Sequence, residues 1–314
     1  MKFFNSTETF GMILRSLFAV AVLLNVAGSS MAADFDKDGK ADFAVFRPST
    51  ATWINETSKG DMTGFQWGGP SDVLVPADYD GDGRTDFAAW RPANGVWYIH
   101  QSGDDSVLLV RWGVTADVPV PADYDNDGLT DLAVWRPRTG EWSILRSSND
   151  YDQNKAITFR WGKSGDVPVQ ADYDGDQRAD FAVFRATENR WYIRYTSTGK
   201  SSVQSFGLAG LDTLVPADYT GDKKADIAVY RSGVWHVLNS STGETEQTSF
   251  GFNDDVPVPA DYDGDGINDF AVFRSGTWYV SDSSRPRLRS YNFGQAADIP
   301  VTSGIVRASI VAIP

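Results

Sequence analysis

One short sequence, met again and again, constrains this chain more than anything else in it. Residues 75–83 read Val-Pro-Ala-Asp-Tyr-Asp-Gly-Asp-Gly, and near-copies start at Val120, Val169, Val215 and Val258, with a shortened copy near residue 34. The first aspartates fall at Asp34, Asp78, Asp123, Asp172, Asp218 and Asp261, so the spacings are 44, 45, 49, 46 and 43 residues. A period in that range is the signature of propeller blades. Each copy is followed by an apolar strand such as residues 86–91, a turn, a second strand around Trp97-Tyr98-Ile99, and a third ending at Trp112-Gly113. Counting the Val-Pro segment, each unit supplies four short strands. Those after the loops are apolar on both faces, as strands are when their sheet lies between two others. The expected fold is an all-β propeller of six four-stranded blades, with a linear solenoid of the same unit as the rival arrangement.

Ring closure follows from a second spacing. Asp72 and Arg91, Asp117 and Arg136, Asp166 and Arg185, Asp212 and Arg231, and Asp255 and Arg274 are each 19 residues apart. An aspartate at the start of one strand and an arginine at the end of the next lie side by side in an antiparallel hairpin. Arg47 has no such partner upstream, since position 28 is Gly28, and Asp298 has none downstream. The two orphans fit each other. Residues 298–301 are therefore expected to supply the inner strand of the first blade. Residues 309–313 resemble a degenerate second strand, which leaves seven blades with one partial as the alternative.

The repeated loops read D-x-D-x-D-G-x-x-D, with carboxylates at positions 1, 3, 5 and 9. The candidate ligands are Asp34, Asp36, Asp38 and Asp42 in the first loop and Asp78, Asp80, Asp82 and Asp86 in the second. The third offers Asp123, Asp125, Asp127 and Asp131, and the fourth Asp172, Asp174, Asp176 and Asp180. The fifth keeps Asp218, Asp222 and Asp226 but has Thr220 at position 3; the sixth has Asp261, Asp263, Asp265 and Asp269. Calcium takes six to eight oxygens, and a tight turn presenting alternate carboxylates supplies them. Four carboxylates within nine residues repel one another unless a cation sits among them. Position 7, whose side chains share no chemistry, is expected to lend its backbone carbonyl. Gln177 and Lys223 replace the glycine at position 6, where glycine usually permits a sharp turn. Up to six calcium ions are expected, the fifth site being weakest.

An EF-hand would need a glutamate at position 12 and flanking helices; position 12 here is Val45 or Ala89, inside a strand. With strands on both sides the loop resembles the calcium hairpins of FG-GAP repeats in integrin α-subunit propellers and their bacterial VCBS-type relatives. Residues 67–70, Phe206-Gly207 and Phe250-Gly251 look like that family's Phe-Gly corner. The resemblance runs from Ala33 to about Val301, and it implies calcium-stabilised propellers used in adhesion or ligand recognition, some of them sugar-binding.

The formal charge is −14, but 23 of the 42 acidic residues are these loop aspartates, so most of the charge belongs to metal sites. An acidic chain without clustered Lys and Arg is not expected to bind nucleic acid or an anionic membrane. Cysteine is absent, which removes thiol chemistry. Lys2 and Arg15 precede an apolar run over 16–27 and small residues at 28–30, which reads as a signal peptide over 1–32. One propeller domain over 33–314, monomeric, secreted or at the cell surface and without a membrane span, is the expectation.

All 11 tryptophans sit at repeat positions and are expected to pack between blades. Only His100 and His236 exist, at unmatched points of their repeats. No phosphate-cradling loop or Ser-His-Asp pattern is legible, and the clustered aspartates are claimed by calcium. A binding or adhesion module for a glycan or cell-surface protein is the favoured reading. An enzyme acting on polysaccharide and a purely structural surface protein are the alternatives. A ligand site should lie where the repeat breaks: at the insertion 147–155 with Tyr151, or at the turns 137–140 and 162–165 with Arg138 and Lys163.

Overall fold

The computed structural model describes residues 33–285, 287–301 and 306–307. The expected signal peptide over 1–32 and the candidate strand 309–313 lie outside the described residues. Six sheets form, each built on four antiparallel strands in the order inner, second, third, outer, and the fifth carries one further short strand. In the second blade these are Val73–Leu74, Phe87–Arg91, Val96–His100 and Val107–Arg111. The four strands of the other five blades repeat this plan, and the ring has six blades.

The first blade is assembled from both ends of the chain. Its second, third and outer strands are Phe43–Arg47, Thr52–Glu56 and Met62–Gln66. Its inner strand is Ile299–Pro300, paired through Val45 with Pro300 and Phe46 with Ile299. Arg47 closes the ring on Asp298 with two hydrogen bonds, Nε to Oδ1 at 2.9 Å and Nη2 to Oδ2 at 2.8 Å. The strand Val306–Arg307 then adds to the inner strand of the fifth blade, Thr213–Leu214, and the described residues form no seventh blade.

Second strands are buried along their middle, as Phe87–Arg91 and Phe181–Arg185 show, because both faces meet a neighbouring sheet. Third strands alternate. Trp53, Trp97, Trp142, Trp191, Trp235 and Trp278 are all inaccessible to solvent to within one per cent. Each of their indole N–H groups donates to the carbonyl that precedes the corner glycine, Trp97 to Trp112 at 3.0 Å and Trp278 to Phe293 at 3.0 Å. Trp67, Trp112 and Trp161 reach across to the next blade and donate to the carbonyls of Tyr98, Ser143 and Tyr192. Tryptophan is thus core and inter-blade mortar, and truncating one in the buried column would cost about 3–5 kcal/mol.

Each Arg–Asp pair meets in the same two-pronged way, but these are not exposed pairs of small value. The aspartate side chains are at most 1% accessible while the arginines are partly exposed. Removing an arginine would strand a buried carboxylate, which is costlier than losing a surface ion pair.

Candidate metal centre

In five blades the repeated loop joins the inner strand to the second strand, and in the first blade it leads into the second strand Phe43–Arg47, so all six lie on one face of the ring and the Arg–Asp pairs on the other. The backbone of each loop winds around its own position-1 carboxylate. The N–H of position 6 donates to its Oδ2 in all six: Gly39 at 3.0 Å, Gly83 at 2.9, Gly128 at 2.9, Gln177 at 2.7, Lys223 at 2.8 and Gly266 at 2.7 Å. Position 6 is left-handed throughout, and Gln177 (φ 68°) and Lys223 (φ 66°) keep that turn although they are not glycine. The substitution therefore leaves the loop's shape intact and is felt as backbone strain, about 1–2 kcal/mol for a side-chain-bearing residue.

Position 9 is the loop's anchor. Its Oδ2 accepts from the N–H of position 2, as Asp86 does from Tyr79 at 2.9 Å, and its Oδ1 from the turn after the third strand, as Asp86 does from Ser102 at 2.7 Å. The same serine or threonine column, Ser58, Ser102, Ser147, Thr196, Ser240 and Ser283, latches every loop to its own blade. Sequence reasoning missed this column. Its offset from position 9 is 16 residues in four blades and 14 in two, and serine is too common in turns to stand out.

The loops are also joined to one another. The position-8 N–H of each donates to the position-1 carbonyl of the loop before it: Thr85 to Asp34, Thr130 to Asp78, Ala179 to Asp123, Ala225 to Asp172 and Asn268 to Asp218. Ala41 to Asp261, at 2.7 Å, completes the circle.

Carboxylate oxygens converge in threes, from positions 1, 3 and 5 in the second, third and sixth loops and from positions 1, 3 and 9 in the first and fourth. Asp34, Asp36 and Asp42, then Asp78, Asp80 and Asp82, Asp123, Asp125 and Asp127, Asp172, Asp174 and Asp180, and Asp261, Asp263 and Asp265 each bring one oxygen apiece within 4.8 Å of the others. Position 3 gives the decisive test of fit. Asp36, Asp125, Asp174 and Asp263 each hold one buried oxygen with no hydrogen-bond partner, and so does the Thr220 hydroxyl in the fifth loop. A buried polar atom left unpaired is costly, and an oxygen left unpaired at the same loop position in five copies is what a cation held by the loop would satisfy. Thr220 keeps an oxygen there, though an uncharged one.

Electrostatics agree. Burial pushes Asp42, Asp86, Asp131 and Asp180 up to about 7 and Asp269 to about 6, against the opposing pull of their backbone N–H donors. Burial likewise raises the position-1 groups Asp34, Asp78, Asp123, Asp172 and Asp261. Desolvated carboxylates held together without a counter-charge behave this way. A hard divalent cation bound by oxygens fits this donor set.

The expected ligand loop looks different from its sequence reading. The insertion folds as two short 3-10 turns, Ser147–Asn149 and Gln153–Lys155. Tyr151 is turned inward, its hydroxyl donating to the carbonyl of Thr130 at 2.9 Å and of Tyr79 at 3.3 Å. It plugs the cleft between the second and third blades and is no free recognition residue. Lys163 is exposed on the opposite face and pairs with Glu188 at 3.3 Å; Arg138 is exposed on the turn 137–140, which packs against the turn that carries Lys163 through Trp161 N–H donating to the Gly140 carbonyl at 2.8 Å. His100 is packed by the rings of Phe65 and Trp67. Among the described residues no helix is long and apolar enough to cross a membrane.

A family model described as an FG-GAP-like repeat matches residues 78–134, 123–183 and 172–229. No curated protein matches the sequence. Among solved structures, virginiamycin B lyase from Staphylococcus aureus aligns with a TM-score of 0.54 at 9% identity, covering 89% of this chain and 87% of that one. TolB from Acinetobacter baumannii aligns at 0.59 and 12% identity, over 83% of this chain and 66% of its own. BBS1N, crystallised in complex with ARL6DN, aligns at 0.53 and 11% identity, over 91% and 93%. At such identities the likeness is one of fold, shared by an enzyme and by proteins of other kinds.

Proposed function

Because this chain is an FG-GAP-repeat β-propeller, we propose that it is an exported, calcium-loaded scaffold that binds a glycan or a cell-surface protein. The observation that carries the calcium part is the unpartnered buried oxygen at position 3 of five loops. When bound, calcium would supply the charge that lets the four carboxylates of a loop coexist in a dry turn. Positions 1, 3, 5 and 9 would hold it, with Thr220 lending a hydroxyl in the fifth loop. Binding is favoured over catalysis because the clustered carboxylates are committed to the loops and His100 is packed among aromatic rings. Fold alone does not decide between the two.

Calorimetric titration of exhaustively chelated protein with calcium chloride tests the metal reading. Five to six ions per chain are expected, with magnesium binding more weakly because it demands a more rigid octahedron; no uptake of calcium overturns it. Presenting the calcium-loaded protein to immobilised glycans and to cell-surface protein extracts tests the second part. Retention without chemical change of the captured molecule is expected. Turnover of a glycan or peptide, abolished by one carboxylate change that spares calcium binding, would make the protein an enzyme.

A further inference from the structure

The six clefts between neighbouring blades are built from equivalent positions, so each is a control for the others. Two residues of one blade's outer strand face the first residue of the next blade's second strand and the last residue of its third. Between blades two and three these are Leu108, Val110, Leu132 and Leu145, capped by Tyr151. Between blades one and two, Phe65 lies against Phe87 and His100. Between three and four, Phe159 lies against Phe181 beneath Arg194. All three are filled by packing.

The cleft where the last blade meets the first is different. It encloses a cavity of about 300 Å³, at the small end of the range that ligand sites occupy and suited to a group the size of a sugar ring. Tyr262, Phe43 and Tyr291 form a three-ring stack, with centroids 5.4 and 4.9 Å apart, and Tyr291 at its outer end is 37% exposed. Polar groups surround that platform. The Tyr291 hydroxyl donates to Glu56 Oε1. Arg289 is held by Asp282 through Nε at 2.8 Å and leaves Nη1 without a hydrogen bond among the described residues. The Lys40 ammonium, from the first metal loop, likewise makes none there.

We infer that this seam cleft is a carbohydrate site, which stacks the C–H face of a pyranose ring on Tyr291 and bonds its hydroxyls with Glu56, Arg289 and Lys40. An exposed aromatic face flanked by one carboxylate acceptor and two cationic donors matches a ring that is apolar on its faces and polar at its edge. A buried peptide strand or a lipid tail would leave those charges unpaired. The inference rests on the binding-module reading and narrows it to one ligand class and one of six clefts.

Ligand-observed NMR titration of the calcium-loaded protein with methyl glycosides of glucose, galactose, mannose and N-acetylglucosamine tests it. At least one glycoside is expected to bind at a single site. Tyr291→Ala should weaken that binding about tenfold or more, and Glu56→Gln by a smaller factor. Gln204→Ala, at the position matching Tyr291 in the cleft between blades four and five, should leave it unchanged. Tyr291→Phe keeps the stacked ring and should retain most of the binding, so a folding defect in the alanine variant would not hide the answer. Glycoside binding that survives both Tyr291→Ala and Glu56→Gln overturns the site while leaving the protein a binding module. Failure of every glycoside to bind overturns the site as well, and capture of a cell-surface protein would then carry the wider reading alone.

Discussion

The second and fifth loops trace the same turn from different residues. The second has glycine at both left-handed positions, Gly81 and Gly83, and a full set of four aspartates. The fifth has Gly221 but holds Lys223 at φ 66°, and Thr220 stands where the others carry a carboxylate. Their electrostatics diverge accordingly. Burial raises Asp78 and takes Asp86 up to about 7. In the fifth loop burial raises the matching anchor Asp226 as well, whereas hydrogen bonds from the hydroxyls of Ser241 and Ser240 lower Asp222 despite its burial. The second loop therefore gathers more carboxylate charge than the fifth, although the unpartnered buried oxygen at position 3 is found in the fifth, on Thr220, and not on Asp80 of the second, which accepts from the N–H groups of Asp82 and Gly103. Shape in this repeat is carried by the backbone and its latches, while demand for metal is carried by the carboxylates.

Removing calcium should separate the two most. A ligand held only by the folded state contributes about 2.7 kcal/mol per site at a hundredfold excess over Kd, so chelation should lower the melting temperature by roughly 20 °C or more. An unchanged melt after exhaustive chelation would remove metal from the account of both loops.

The chelated protein should also respond to pH, and the sign is fixed by the raised carboxylates. A group whose folded pKa lies above its unfolded value of 3.8 contributes stability below that value and loses it as pH rises through the folded pKa, here about 7 for Asp86. Metal-free protein should therefore melt higher at pH 5 than at pH 8. Replacing Asp86 with Asn should flatten that slope more than replacing Asp226 with Asn, and equal effects would erase the contrast between the loops.

Single ligands give the next tier. With calcium present, Asp80→Ala should cost about 2–3 kcal/mol, the loss of one well-populated site, and Thr220→Ala about 1 kcal/mol or less. With calcium removed, the cost of Asp80→Ala should largely vanish. If the two variants melt alike in calcium, position 3 does not set the difference.

The smallest effect tests the backbone alone. Lys223→Gly should raise stability by about 1 kcal/mol, with or without calcium, by relieving the left-handed strain. A destabilised variant would mean that the Lys223 side chain supports the loop in a way its backbone angle does not reveal.

Much of this architecture was legible in the sequence because the repeat reports it six times. Position 9 and the 19-residue Asp–Arg spacing are periodic, so both the loops and the closure by residues 298–301 could be read without coordinates. What stayed hidden depends on contacts across blades. Tyr151 sits in a polar insertion that reads as exposed, yet its hydroxyl reaches carbonyls of two loops. Tyr291 and Phe43 are 248 positions apart in the chain and meet only because the ring closes. The serine latches vary in offset, and the hydrogen-bonded circle of loops is made by backbone atoms that carry no sequence signal.

The Arg–Asp pairs also set a timetable. Five of them close hairpins of 19 residues, and the sixth, Arg47 with Asp298, spans 251. Closing the longer span costs about 2 kcal/mol more in chain entropy than closing a short one. Five blades can therefore mature in the order the chain is made, each complete within its own stretch. The first blade cannot: its second strand waits with an open edge until Ile299–Pro300 have been synthesised. An open strand edge is where chains of this kind pair with the wrong neighbour. The blade whose strands come first is thus the last that can be completed, and the open edge stays at the seam while the strands of the other five are being made.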